Sequence, residues 1–96
     1  MEIFIFARAH ARPGCEAEVE RAIRRVLPPT RQEPGCISVR AFRAVKDPLL
    51  FYVHSHWRSE AAFDLHIEQP HTQRFDETLK SLLDHEFTAE RTTAFA

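Results

Sequence analysis

Cysteine is scarce in this 96-residue chain. Cys15 and Cys36 have neither the density of a secreted disulfide scaffold nor the Cys-x-x-Cys spacing of a metal or redox motif. An excess of charge of one sign is missing as well. Thirteen Lys and Arg stand against fourteen Asp and Glu, a formal net charge of −1, without the basic stripe that a nucleic-acid binder carries. Long hydrophobic runs are absent. The opening residues, Met1-Glu2-Ile3-Phe4-Ile5-Phe6, show no basic leader and no apolar stretch long enough for a signal peptide or a membrane span. No linker, low-complexity segment or internal repeat breaks the pattern. The expectation is a single domain over residues 1–96, cytoplasmic, with neither nucleic acid nor membrane as partner.

What is there suits a packed core: 44% hydrophobic residues, eight of them Phe. A chain this short buries only about 60–65% of its unfolded surface, so burial against a second subunit adds usefully to stability.

The first strand is expected over Glu2–Ala11. One face, Ile3, Ile5, Ala7, Ala9 and Ala11, is wholly apolar; the other begins with Phe4 and Phe6 and ends with Arg8 and His10. A half-solvated strand alternates apolar with polar, so this one is covered on both faces. Pro13-Gly14 makes a turn. Val19, Ala22, Ile23, Val26 and Leu27 then form the stripe of an amphipathic helix over Glu16–Leu27, with Pro28-Pro29 expected to stop it. A strand over Cys36–Val45 directs Ile37, Val39 and Ala41 to one side and Ser38, Arg40, Phe42 and Ala44 to the other. The Lys46-Asp47-Pro48 turn joins it as a hairpin to a strand over Leu49–Trp57. Ser59 is a candidate N-cap for a helix over Glu60–Ile67. Pro70 opens a helix reaching Leu83, with Phe75, Leu79, Leu82 and Leu83 as its buried stripe. The last strand is expected over His85–Thr93.

The order is β-α-β-β-α-β, which permits a four-stranded antiparallel sheet with the helices on one face, the α+β ferredoxin-like arrangement. Its other face would expose large aromatics, so a second copy related by a two-fold axis is the expected cover.

Three sequence features carry a family resemblance: Arg12-Pro13-Gly14 before the first helix, Glu33-Pro34-Gly35-Cys36 opening the second strand, and the run Trp57, Ser59, Glu60, Ala62, His66, Pro70, His71 and Phe75, read as W-x-S-E-x-A-x-x-x-H-x-x-x-P-H-x-x-x-F. In this order, over Phe4 to Phe87, the chain resembles the antibiotic biosynthesis monooxygenase family, which includes small quinol monooxygenases. The resemblance implies a dimeric α+β barrel with a pocket in each subunit. It also implies oxidation of a small quinol, anthrone or related aromatic by O2 without flavin, haem or metal, the substrate supplying the electrons. The protein's tasks are then deprotonation, orientation and exclusion of water.

The chain departs from its relatives in places. Anthrone oxygenases of the family place an Asn before the Trp and a Tyr on the next helix; here Val53 and Phe63 fall at those positions, and the chain has no Asn. The acidic residue that many relatives carry two before the Trp is Ser55. The haem-degrading pattern is unmatched, with Ala7 or Arg8, His66 and Asp76 at its three positions.

Within this frame His66 is the candidate base, since imidazole titrates near neutrality. Trp57 is the second catalytic candidate and, more simply, a pocket wall that flanks a flat ligand. Phe63, His71, Arg74 and Tyr52 are candidate substrate contacts. His54 and His56 share one strand face, and with His10 at the polar end of the first strand they offer three imidazoles, yet no carboxylate follows at a helpful spacing and no metal is assigned. Glu33 is read as capping the nearby loop. Arg8 and Arg40 are read as inter-subunit partners, and neither cysteine shows activation. A ligand-binding module without catalysis, or an isomerase of a small phosphorylated signal, are the alternatives; the second needs cations in the pocket, Arg74 first among them.

Overall fold

The computed structural model describes all of residues 1–96. Strand β1 (Ile3–His10) is followed by helix α1 (Glu16–Arg31), the hairpin β2 (Cys36–Arg43) and β3 (Leu50–Trp57), helices α2 (Glu60–Ile67) and α3 (Pro70–Lys80), and strand β4 (Thr88–Thr92). The sheet is antiparallel throughout, in the order β2-β3-β1-β4, the ferredoxin-like arrangement expected from the sequence. Ile3, Ile5, Ala7 and Ala9 of β1 are buried under the helices, and Phe6 on the opposite face is exposed.

Helix α1 overruns the Pro28-Pro29 stop and continues to Arg31. The prolines remove donors to the carbonyls of Arg24 and Arg25, which lie on the exposed side. Inward, Val26, Leu27 and Thr30 are buried, and the Thr30 hydroxyl donates to the Val26 carbonyl at 2.7 Å. Burying two large aliphatic side chains contributes about 3–6 kcal/mol, of the same order as two proline penalties of about 3 kcal/mol each.

A second correction falls in β2. A bulge between Cys36 and Ser38 leaves Ile37 unpaired and exposed, so Cys36, opposite Trp57, takes the inward place beside Val39 and Ala41. The opening of β2 is also where glycine is required. A Cβ on Gly35 would collide with Ala62 of α2, so Gly35 lets α2 sit directly on the start of the strand. At the other turn Gly14 has φ +92°, which only glycine adopts without strain.

Ser59 caps α2 as expected, accepting from the Ala62 amide at 3.1 Å. Helix α3 stops at Lys80 rather than Leu83; Leu82 and Leu83 reach the core from the following turn, their amides both bonded to the Leu79 carbonyl. Residues 84–87 lie outside β4, and Phe87 packs edge-on against Phe75 at 5.7 Å.

The core is divided. Ala9, Val19, Ile23, Val26, Leu27, Phe51 and Leu79 belong to a large cluster of twelve buried residues, while Ile3, Ile5, Trp57 and Phe63 form a separate cluster of four. Two apolar groups that fail to meet leave space between them.

Candidate functional site

That space is a cavity of about 690 Å3 between the helix-bearing face of the sheet and the helices. Ile5, Trp57 and Phe63 of the small cluster wall one part; Val26, Leu27, Val39 and Leu79 of the large cluster wall another. The size, and a lining that is mostly apolar with polar groups contributed from several elements, suit a small-molecule site.

Trp57 is fully buried. Its indole N–H donates to the Ser55 hydroxyl at 2.9 Å, so the serine found where relatives carry an acid satisfies the one polar atom of the ring. Phe63 meets the indole edge-on at 5.7 Å, and the His66 ring lies 4.7 Å from it. Three rings from β3 and α2 thus form one aromatic wall. Arg91 of β4 stands over Phe63 at 4.9 Å and pairs with Glu60 and Asp64 of α2. Those two carboxylates, Asp64 first, hold its guanidinium further into the charged form.

His66 is not tied to a backbone carbonyl. Its Nδ1 lies 2.7 Å from Glu33 Oε2, the same oxygen that His71 Nε2 approaches at 2.7 Å. An ionised carboxylate only accepts, so each imidazole donates to Glu33, and His66 carries its proton on Nδ1. The Thr72 hydroxyl lies 3.2 Å from the same nitrogen. In the neutral ring Nε2 is then the accepting edge, and the ring borders the cavity. Glu33 and His66 are largely buried, with side chains 10% and 14% exposed, so water competes little for these bonds. Donor atoms around a tetrahedral ion at about 2.0–2.1 Å stand about 3.3 Å apart; the 2.7 Å separations here are those of hydrogen bonds.

The sequence candidates separate accordingly. His66, Trp57 and Phe63 converge on the cavity. His71 does not border it and serves Glu33 instead. Arg74 lies on the exposed side of α3, and Tyr52 lies on the helix-free face of the sheet opposite Phe42, so neither lines the cavity. The three imidazoles do not converge either. His54 packs on Phe6 at 4.7 Å and His56 stacks on Phe4 at 4.1 Å, while His10 turns to Asp84 and Asp47 at 2.8 and 2.9 Å. Those two carboxylates, Asp47 first, raise the His10 pKa. Burial, helped by the Glu33 carboxylate, pushes the Cys36 thiol up, away from nucleophilic use.

Two residues at this site were not read as such in the sequence. Glu33 is remote in sequence from His66, and no local pattern joins them. Asp76 leaves a mark that can be recognised: Thr72, Phe75, Asp76, Leu79 and Lys80 all face the cavity from α3, and an aspartate in the middle of that stripe breaks its apolar pattern. Burial against the cavity wall raises the Asp76 pKa, opposed by His66 and Lys80.

A four-stranded ferredoxin-like sheet with a partly open, aromatic-walled cavity and an oriented histidine defines an α+β domain with a cleft of small-molecule size. The antibiotic biosynthesis monooxygenase family model matches residues 2–78, and the chain belongs to that family. Among solved structures, Rv0793 from Mycobacterium tuberculosis superposes with a TM-score of 0.95 at 21% identity, over 100% of this chain and 97% of that one. A structure described as an antibiotic biosynthesis monooxygenase gives a TM-score of 0.91 at 26% identity, over 98% of this chain and 99% of that one. An uncharacterised protein of Synechocystis is 28% identical over 81 residues, 84% of this chain; the chain spans about half the length (55%) of that relative. No helix is long and apolar enough to cross a membrane.

Proposed function

We propose that the chain is a cofactor-independent monooxygenase that oxidises a small quinol, anthrone or related aromatic with O2. The observation that carries this reading is the His66 ring, held by Glu33 through Nδ1, with Nε2 as its accepting edge, at the wall of an aromatic-lined cavity. A hydroxyl of the substrate gives its proton to Nε2, and the imidazolium that forms lies against the Glu33 carboxylate, which compensates its charge. The resulting anion is electron-rich enough to reduce O2 directly. For an anthrone, one CH2 carbon and O2 give one carbonyl and one water, and all four electrons come from the substrate, so no outside reductant enters. Trp57 and Phe63 hold the flat ring system, and the apolar walls keep water from the reactive anion.

The isomerase alternative is not favoured, because the cavity offers no free cation. Its basic residues are Lys80, paired with Glu77, and Arg91, paired with Glu60 and Asp64. The test is O2 uptake by the full chain with hydroquinone, 1,4-dihydroxynaphthalene and anthrone, measured above enzyme-free autoxidation. Uptake that disappears in His66→Ala supports the reading. No uptake with any of them, alongside binding of flat aromatics, replaces it with a non-catalytic ligand-binding role.

The same reading includes a homodimer. Members of the family commonly dimerise, and the helix-free face carries Phe6, Phe42 and Tyr52 at 55%, 44% and 40% exposure. A second copy is the proposed cover.

A further inference from the structure

The carboxylate of Asp76 is the one cavity-facing acid near His66, and it has no hydrogen-bond or ion-pair partner. Lys80 follows it by one helical turn, the spacing at which a pair would form, yet the ammonium goes to Glu77 at 3.1 Å. Thr72 and Phe75 precede Asp76 on the cavity face of α3, and Leu79 and Lys80 follow it, so the carboxylate projects beside apolar wall. The other titratable groups on this cavity are His66 from α2, Lys80 from α3, Asp84, His85 and Glu86 from the segment after α3, and Arg91 from β4. The permanent cations among them, Lys80 and Arg91, are held by Glu77 and by Glu60 and Asp64, so the cavity presents no unpaired permanent cation to a ligand that arrives as an anion. Asp76 is exposed, with only part of its surface withdrawn from water by the cavity wall, and a hydroxyl donor at its carboxylate takes the place of a water there.

We propose that Asp76 is the hydroxyl-recognition residue of the cavity: its carboxylate accepts a hydrogen bond from a neutral hydroxyaryl ligand, and its charge turns away aryl carboxylates and phosphates. The inference rests on the reading above that this cavity is the ligand site, and it deepens that reading. One hydroxyl of a quinol meets His66 and another meets Asp76, which fixes the ring between them.

Isothermal titration calorimetry of the full chain with 1-naphthol, 1-methoxynaphthalene and 1-naphthoate tests it, without any turnover. The hydroxyl compound is expected to bind about ten- to a hundredfold tighter than its methyl ether, the factor that a charge-assisted hydrogen bond provides, and the carboxylate weakest. In Asp76→Leu the preference for the hydroxyl falls to near unity and 1-naphthoate binds more tightly; Asp76→Asn, which keeps an acceptor without charge, falls between. Circular dichroism melts confirm that both variants are folded. An unchanged preference in Asp76→Leu overturns the proposal, and so does a wild-type chain that binds all three alike or none. A protein that consumes no O2 yet shows the preference and loses it in Asp76→Leu keeps this inference and discards the monooxygenase reading. One that oxidises quinols with the preference intact in Asp76→Leu does the reverse.

Discussion

Replacing Glu33 by Gln changes almost nothing in shape and removes the charge on which two histidines depend. Both His66 and His71 donate to one carboxylate oxygen at 2.7 Å in a site where Glu33 is only 10% exposed. Hydrogen bonds to a charged group contribute about 1.5–3 kcal/mol each, against about 0.5–1.5 for neutral ones. A glutamine can set its carbonyl at that shared oxygen, so both bonds persist as neutral ones and about 2–3 kcal/mol should be lost. For a domain of this size that is a fall in Tm of about 10–25 °C. His71→Asn removes one of the two bonds and should cost about half as much. The Glu33/His66 double-mutant cycle should show coupling above about 1 kcal/mol, since the two residues share a contact. Turnover in Glu33→Gln should fall about a hundredfold, the lower end of what a positioned base contributes, because no carboxylate then compensates the charge of the His66 imidazolium. Thermal denaturation followed by circular dichroism and O2 uptake measure the two effects separately. A variant that melts within a degree or two of the wild type and turns over at its rate refutes the arrangement of Glu33 as holder of both rings.

Gly35→Ala places a methyl group where Ala62 already sits, and should cost about 1–3 kcal/mol by overpacking, read as a lower urea midpoint. Ser55→Ala leaves the indole N–H of fully buried Trp57 without a partner, a loss of about 1–3 kcal/mol with an altered emission maximum from the single tryptophan. His10 has its pKa raised by Asp47 and Asp84, so its contribution to stability is complete below about pH 6.5, the unfolded value, and fades as pH rises through the higher folded pKa. The drop in Tm between pH 6 and pH 8 should therefore shrink in His10→Gln. Phe6→Glu with Phe42→Glu puts charge on the helix-free face and should convert dimer to monomer in light scattering, with each subunit still folded; an unaltered mass sends the dimer contact elsewhere.

The strand alternation in β1 and β3 and the stripe Val19, Ala22, Ile23, Val26, Leu27 were legible because each element buries one face and exposes the other. Where reading failed, tertiary packing overrode a local rule. Pro28-Pro29 ends a helix whose far side has nothing to bury, but Thr30 and Leu27 give α1 a reason to continue. Ile37 fits the alternation of β2 until a bulge adds one residue to the strand, a feature without a sequence sign here. At the site, Trp57, Phe63 and His66 were accessible through the motif that contains them. Glu33 was not, since the contact that gives it a role joins the start of β2 to the α2–α3 corner and exists only after folding. Tyr52 and Arg74 were assigned by proximity in sequence, and strand alternation and helix phase place them elsewhere.

The divided core explains why such a site persists in so small a domain. The cavity of about 690 Å3 is partly open to solvent and carries polar as well as apolar walls, so it is a wet cleft and not an empty void in the core. Its polar groups, Asp76, Thr72 and His66 on one side and Asp84 and Glu86 near the other end of α3, let water fill it when no ligand is bound. No single side chain fills a gap of this size; closing it would take bulky apolar residues on several elements, positions 72 and 76 of α3 among them. The chain instead places a hydroxyl and a carboxylate there, opposite Trp57 and Phe63. A ligand that buries its rings against those aromatics and meets the polar groups replaces loosely held water with packed contact, so its binding should also raise the melting temperature of the fold. Stability and recognition in this chain thus depend on the same few side chains, and the gap left between the two clusters is the part available for chemistry.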